Sequence, residues 1–503
     1  MSVHLSIARA AQIAPHDIAI RSPHFEQSWD MTAKRVAKLA AGLHGLGRKP
    51  GDRLAILAGN SPIHMELTYA SFWAGVPIVP INTRLSVPEM CQIVKESGAS
   101  GLAYDRANSA SALSIAGSIG GLNLIAMDGG EQGADIGQML TSSGVEPVHS
   151  AATDMIALYF TGGTTGRPKG VELSYGCLHA VTQDLLSAAA YNSSHSYLHA
   201  APYFHLTDSG IGHAISYARG THVFIDQVTP QSILSAIELL GVNTLTLVPT
   251  MYLDLMDYGP EPSPLLRNVV NAVYGSAPIT PDLLKRMLKA FPNAEFRQGY
   301  GQTEMGGACC FLPPSAHKPD GDKLSSVGVA LNGVHLRIAD ENGIEMPRGR
   351  AGEIQVRGNR IMTGYYNQEQ LTRETIVDGW LKSGDIGVMD KDGFVSIVDR
   401  KKDMIVSGGE NVFCSEVENA LSTHPSVSLA AVIGIPHPRW GEAVHAYVVA
   451  SEGCELNEAE LIEHTRHQIA GYKCPKSVSI VPELPLSAVG KVRKDILKRD
   501  WAS

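Results

Sequence analysis

The densest run of chemistry-bearing residues is Tyr159-Phe160-Thr161-Gly162-Gly163-Thr164-Thr165-Gly166-Arg167-Pro168-Lys169-Gly170. Its glycines place no Cβ between the backbone N–H groups and an approaching anion. Thr161, Thr164 and Thr165 add hydroxyl donors, and Arg167 and Lys169 add positive charge for a polyphosphate. The run follows an apolar stretch, 155–160, that reads as a strand, and a helix is predicted to begin near Ser174. Pro168 stands where a Walker A loop has its last glycine before lysine, so this is a different kind of phosphate loop.

A second candidate is Gly299-Tyr300-Gly301-Gln302-Thr303-Glu304. An aromatic ring offers a stacking face, a threonine hydroxyl a donor, and a lone carboxylate a ligand for Mg²⁺, which prefers carboxylate plus phosphate oxygens. A third is Trp380-Leu381-Lys382-Ser383-Gly384-Asp385, whose carboxylate can accept two hydrogen bonds from a diol. Taken singly, Glu304 would read as a solvated charge and a lone His205 as a structural histidine.

Together, in this order, the segments resemble the signature motifs of the adenylate-forming superfamily: acyl-CoA synthetases, adenylation domains of non-ribosomal peptide synthetases, and luciferases. The resemblance covers nearly the whole chain. It includes Trp73 to Leu85, read as packing and turn chemistry; Ala201-Pro202-Tyr203-Phe204-His205; Tyr274-Gly275-Ser276-Ala277-Pro278; Ser407-Gly408-Gly409-Glu410-Asn411; Trp440-Gly441-Glu442; and Leu484 to Lys494. One departure is Gly162, where the superfamily's loop usually carries serine, so the loop has one hydroxyl fewer.

The resemblance implies a role for each segment. Thr161, Gly162, Gly163, Thr164, Thr165, Gly166 and Lys169 would cradle the ATP phosphates. Gly275, Ser276, Ala277 and Pro278 would run along the adenine face, with Tyr300, Gly301 and Gln302 against the base. Thr303 would reach the α-phosphate and Glu304 would hold Mg²⁺. Asp385 and Arg400 would bind the ribose. Tyr203 and His205 would flank the acid, with His205 also a candidate for proton transfer. Lys491 would be the adenylation lysine and Lys402 the hinge. Ser407, Gly408, Gly409 and Glu410 would arrive for the second half-reaction, with Trp440 beside the pantetheine of coenzyme A. The implied co-substrates and cofactor are ATP, coenzyme A and Mg²⁺.

The elements that must position these residues follow from periodicity. Apolar residues at helical spacing over 31–46 and 63–72, with strand-like runs at 53–57, 76–81 and 101–104, argue for an α/β sheet covered by helices. The alternation returns with 222–225, 230–240, 244–249 and 271–274. From Val334 the character changes to short strands with turns at Asn342-Gly343 and Asp392-Gly393, a small β-rich subdomain. After the charge run Asp399 to Asp403, a helix at 415–422, strands at 428–433 and 443–449 and a helix at 457–469 form an α+β pattern. The expected fold is therefore α/β multi-domain. A large N-terminal domain, 1–399, holds two α/β sheet subdomains and the β-rich subdomain; a hinge covers 400–402; a small mobile α+β lid domain covers 403–503.

Composition bounds the rest. A chain of 503 residues exceeds one hydrophobic core. A net charge of −9 argues against a nucleic-acid partner. Seven scattered cysteines without CxxC or zinc spacing fit a reducing compartment, with Cys309-Cys310 read as packing. There is no signal-peptide pattern, no apolar membrane span and no peroxisomal tripeptide at Trp501-Ala502-Ser503, so the expected location is cytoplasmic. The expected partner is a small carboxylic acid; a homodimer is an open expectation. Met305-Gly306-Gly307 after Glu304 points to an uncharged acid tail, medium-chain or aromatic, and no arginine in the acid segments argues against a dicarboxylate. Loading of a carrier protein, and an inactive nucleotide-binding homologue, are the alternatives; the second predicts decay at Glu304, Asp385 or Lys491, and all three are present.

Overall fold

The computed structural model describes residues 3–129, 132–161, 168–275, 279, 281–318, 321–400, 403–407, 410–438, 440–486 and 492–502. The side chains of residues 281, 400, 406, 410, 411 and 502 fall outside that description. The chain divides into two compact units. The first holds residues 1–336 and 356–381, the second 337–355 and 382–503.

The first unit contains the two anticipated sheets. An eight-stranded sheet runs in the order Gly364–Tyr365, Lys169–Ser174, Met155–Thr161, Ile78–Pro80, Leu54–Leu57, Gly101–Tyr104, Asn123–Ala126, Ala134–Asp135. Leu54–Leu57 and Gly101–Tyr104 are buried at every position, which is why they are apolar runs rather than alternating ones. Burying each Leu or Ile there contributes about 1.5–3 kcal/mol. A nine-stranded sheet carries Gly307–Leu312, Glu295–Gln302, Asn271–Gly275, Thr244–Leu247 and Ser196–Leu198 as successive neighbours. Helices between strands start at sequence-legible caps. Ser61 accepts from the His64 N–H before Pro62–Trp73, and Thr229 and Ser232 form a capping box before Pro230–Leu239.

The helix expected near Ser174 is found there, and a strand that the sequence reading did not anticipate precedes it. Lys169–Ser174 is itself a strand, paired antiparallel with Met155–Thr161 so that Thr161 faces Lys169 and Phe160 faces Gly170. The run therefore closes a hairpin. The helix Tyr175–Ala188 follows this second strand, capped by Ser174 as expected.

In the second unit, Asp340 accepts from the Ile344 and Asn342 N–H groups across Asn342-Gly343, and Asp390 repeats this around Asp392-Gly393. Both turn signals are thus realised, with Gly343 and Gly393 in the left-handed region. Trp380–Met389 pairs antiparallel with Val395–Arg400. The C-terminal part is a sheet in the order Glu410–Val412, Ile405–Ser407, Gly441–Ala450, Val427–His437, with Ser477–Ile480 beside Gly441–Ala450. Cys414–Ser422 and Lys494–Ala502 pack on Val427–His437. The cysteines are all free thiols, and Cys309 and Cys310 are fully buried, as packing residues should be. No helix among the described residues is long and apolar enough to cross a membrane.

Candidate active site

In the first unit the hairpin and the 299–306 segment meet through one side chain. Lys169 is half-buried, and its Nζ lies 5.3 Å from the centroid of the Tyr365 ring. Tyr365 belongs to the short strand Gly364–Tyr365, which pairs with Lys169–Ser174. Its hydroxyl donates to Glu304 Oε1 at 3.0 Å. Burial pushes the Tyr365 phenol well up, and the Glu304 charge adds to this, so Tyr365 stays a neutral donor. Thr161 is the half-buried last residue of its strand. Gly162, Gly163, Thr164, Thr165 and Gly166 lie outside the described residues, and so does the question of the hydroxyl lost at Gly162.

The 299–306 segment is built for close approach. Gly299 pairs with Gly275 on the parallel neighbouring strand, and a Cβ on Gly275 would lie 2.5 Å from the Gly299 carbonyl oxygen. A Cβ on Gly301 would lie 1.9 Å from the Gly307 carbonyl oxygen. Only glycine fits at these positions, which leaves a flat surface beside buried Tyr300. Ser276, Ala277 and Pro278 lie outside the described residues. After Gln302 the chain makes a single tight turn, Thr303–Met305, closed by Gly306 at φ +71°. Thr303 and Glu304 are half-buried on it.

Arg360 anchors that turn. It is fully buried. Its Nε donates to the Met305 carbonyl at 3.0 Å, another nitrogen donates to the Ala308 carbonyl, and Nη1 donates to Asp184 Oδ2 at 2.9 Å. Asp184 Oδ1 in turn accepts the Gly333 N–H at 2.8 Å. The Met362 N–H donates to the Glu304 carbonyl at 2.8 Å. The residues that place Glu304 thus come from 360–365, far away in sequence.

This donor set suits Mg²⁺ carried by ATP. Among the described residues no group of three or more His, Cys, Asp or Glu side chains could hold a metal by itself. A single carboxylate oriented by a tyrosine, next to a phosphate loop, matches an ion bound mainly through phosphate oxygens and water.

His205 is the N-cap of the helix Leu206–Ala218, and its ring packs on Phe204 at 4.6 Å. Burial, with a smaller contribution from the charge of Arg84, pushes its imidazole down to about 4. His205 is therefore neutral near pH 7. Tyr203 is buried against His64 and His199.

The second unit holds the remaining candidates. Asp385 is buried and faces Arg400 across the strand pair. The Asp385 N–H donates to Ser383 Oγ, and the preceding Gly384 N–H donates to Glu353 Oε1 at 3.1 Å. The Arg400 side chain lies outside the described residues. Ser407 is buried and pairs in register with both Glu410 and Gly441, which makes the 407–411 and 440–442 segments neighbours. Trp440 stacks on His437 at 4.1 Å, with Lys476 Nζ 5.6 Å from its ring. Gly408, Gly409, the Glu410 side chain, Lys402 and Lys491 lie outside the described residues. Leu486 and Val492, on either side of Lys491, form an antiparallel bridge.

Comparison with known proteins agrees with this arrangement. The model of the AMP-binding enzyme family matches residues 7–366, and that of the AMP-binding enzyme C-terminal domain matches 416–491. The chain belongs to the AMP-binding enzyme family. It is 36% identical to a feruloyl-CoA synthase of Amycolatopsis sp over 494 residues, 98% of this chain and 97% of that one. It is 31% identical to an indoleacetate–CoA ligase of Aromatoleum aromaticum, covering 98% of this chain and 97% of the relative. ATP-bound MatB from Rhodopseudomonas palustris superposes with a TM-score of 0.88 at 29% identity, over 100% of this chain and 99% of MatB. The adenylate-forming superfamily and the two-part α/β architecture expected from the motifs are borne out.

Sequence reasoning missed Tyr365, Arg360 and Asp184. Nothing local marks them: Arg360 in Gly-Asn-Arg-Ile reads as an exposed charge until Asp184 is placed beside it. Tyr365 gives a sharp prediction. Tyr365→Phe keeps the ring under Lys169 and removes the bond that orients Glu304. It should raise the Mg²⁺ concentration needed for half-maximal pyrophosphate release by about 10–100-fold, with the fold unchanged by circular dichroism. An unaltered Mg²⁺ requirement would mean that Tyr365 does not orient the metal-binding carboxylate.

Proposed function

We propose that the chain is an ATP-dependent carboxylic acid–CoA ligase that forms an acyl-adenylate and then a thioester. The observation that carries this is the Lys169–Tyr365–Glu304 link, which ties the phosphate hairpin to the 303–304 turn in a family whose similar members are named as acid–CoA ligases.

A carboxylate is a poor electrophile because its leaving group would be oxide. In the first step a carboxylate oxygen attacks the α-phosphorus of ATP and pyrophosphate leaves. In the second the coenzyme A sulfur attacks the carbonyl carbon and AMP leaves. Both steps need stabilised charge rather than a protein nucleophile. Bound Mg²⁺ would neutralise phosphate charge. Glu304 would hold it, Thr303 and the 161–169 hairpin would donate to phosphate oxygens, and Lys491 would bridge carboxylate and phosphate as a point cation. Asp385 and Arg400 would hold the ribose. A pivot at 400–402 would exchange Lys491 for the 407–411 segment between the steps. The buried thiols, raised by burial at Cys177 to about 12, have no part in acyl transfer. A cytoplasmic location fits this chemistry.

The acid is best read as an aromatic monocarboxylate. Relatives named for ferulate, trans-cinnamate and indoleacetate support this, as do the small residues after Glu304. A relative named as a fatty acid–acyl-carrier-protein ligase, 31% identical, keeps carrier loading as the competing acceptor. The test is CoA-thioester formation with ATP across aryl, short, medium and dicarboxylic acids. Aryl acids should give the highest kcat/KM. Turnover of a carrier-protein thiol but not of coenzyme A would overturn the acceptor, and preference for a dicarboxylate would overturn the acid.

A further inference from the structure

Behind the 201–205 segment lies a buried polar network that the proposed chemistry does not use. The strand Ser196–Leu198 ends at His199, and the helix Leu206–Ala218 begins after His205. The intervening irregular turn carries Tyr203 and His205. Asn60 holds it from outside, using every polar atom of its side chain on backbone. Nδ2 donates to the carbonyls of His199 at 2.8 Å and Ala201 at 2.6 Å, and Oδ1 accepts the Tyr203 N–H at 2.7 Å.

From inside, the two ends of the turn are joined by a buried pair. His199 Nδ1 donates to Asp208 Oδ2 at 2.5 Å, and both side chains have zero exposure. Tyr197 donates to the other Asp208 oxygen at 2.8 Å. His199 Nε2 meets His222 Nδ1 at 2.9 Å, and His222 Nε2 meets Ser216 Oγ at 2.9 Å. Tyr69 donates to Ser216 and is in turn bonded to His213 Nδ1 at 2.9 Å. The Phe224 ring stacks on His199 at 4.4 Å, and Tyr203 packs its edge against His199 at 5.4 Å.

Such a network is an expensive way to fill a core. A buried ion pair is often no more stabilising than well-packed apolar residues of the same volume, but its directional bonds define a geometry that apolar contacts leave loose. Here the Asn60 bonds end on the turn or on the residue before it, and the His199–Asp208 bond joins that residue to the first turn of the helix that follows.

We propose that Asn60 and the Asp208–His199 pair are positioning residues for acid recognition: they hold the 200–205 turn in the shape that receives the carboxylic acid. The inference rests on the acid-ligase reading. Among the described residues, the side-chain hydrogen bonds of Asn60 and Asp208 end on none of the segments assigned to ATP, so the effect should fall on the acid alone.

The test compares full-length wild type, Asn60→Ala, Asp208→Asn and the double variant. KM for the best acid and KM for ATP are measured by pyrophosphate release, beside the unfolding midpoint. Each single variant should raise the acid KM by about 10–100-fold, as expected for an ångström-scale misplacement, while the ATP KM stays within a few-fold. The double variant should fall short of the product of the singles, because both act on one turn. If Asp208→Asn does not fold, Tyr197→Phe weakens the same carboxylate more gently and carries the same expectation. Acid and ATP KM rising together, or activity that simply follows the folded fraction, would overturn the proposal and leave a structural network. Wild type inactive on every acid would overturn the ligase reading and this inference with it. Active wild type with unshifted variants overturns this inference alone.

Discussion

Lys491→Ala should lower the rate of acyl-adenylate formation by at least about 10²–10³-fold while leaving thioester formation from supplied acyl-adenylate within a few-fold of wild type. The expectation follows from chemistry. Adenylation brings a carboxylate against an anionic phosphate, and a point cation bridging the two removes the repulsion most where charge is greatest. The thioester step starts from a neutral mixed anhydride carbonyl and has no such repulsion to remove. Lys491 follows Leu486, whose bridge to Val492 and the Arg493 N–H bond to Pro485 close the segment at its base. The assay pairs pyrophosphate release with direct thioester formation from synthetic acyl-adenylate. Equal loss of both half-reactions would sink the reading in which two conformations divide the work.

Breaking the Arg360–Asp184 pair should be the most destabilising single change in the site. Arg360→Met leaves a buried Asp184 carboxylate facing only the Gly333 N–H. Asp184→Leu leaves a buried guanidinium with two carbonyls. Each should cost about 3–5 kcal/mol in denaturant unfolding, the range for stranding one member of a buried pair. The double variant Arg360→Met/Asp184→Leu should recover much of that, since no charge is then left buried. It should not recover adenylation, because the Met305 and Ala308 carbonyls have lost the donor that fixes the Glu304 turn. A double variant as unstable as the sum of the singles would show the pair to be uncoupled. A double variant with full adenylation would show that the turn needs no anchor.

These two sites differ in how they could be found. Lys491 was legible because its neighbours, Leu-Pro-Leu-Ser-Ala-Val-Gly-Lys, form a local pattern. The same holds for the glycines at 275 and 301, whose need for close backbone approach is written into residue type. The apolar runs at Leu54–Leu57 and Gly101–Tyr104 likewise announce doubly covered strands, because burial on both faces leaves no polar position. The caps at Ser61, Ser174 and Thr229 are local too.

The unanticipated strand shows where that legibility stops. Lys169–Ser174 reads as Lys-Gly-Val-Glu-Leu-Ser, an ordinary alternation that becomes a strand only because Met155–Thr161 lies beside it. Charge burial follows the same rule over longer distances. Arg360 and Asp184 are 176 residues apart, and His199 needs Asp208 on one side and His222 on the other before it becomes a clamp.

By itself, then, the sequence determined the order of its motifs, the resemblance that implies the reaction class, and the glycines at 275 and 301 that allow close backbone approach, because these depend on residue types at short spacing. The tertiary structure alone decided which side chains hold those motifs in place: Tyr365 on Glu304, Arg360 under the 303–308 turn, Asn60 and Asp208–His199 around the 200–205 turn. A charged or polar group is an orienting group only once it is desolvated against a partner, and desolvation is a property of the fold.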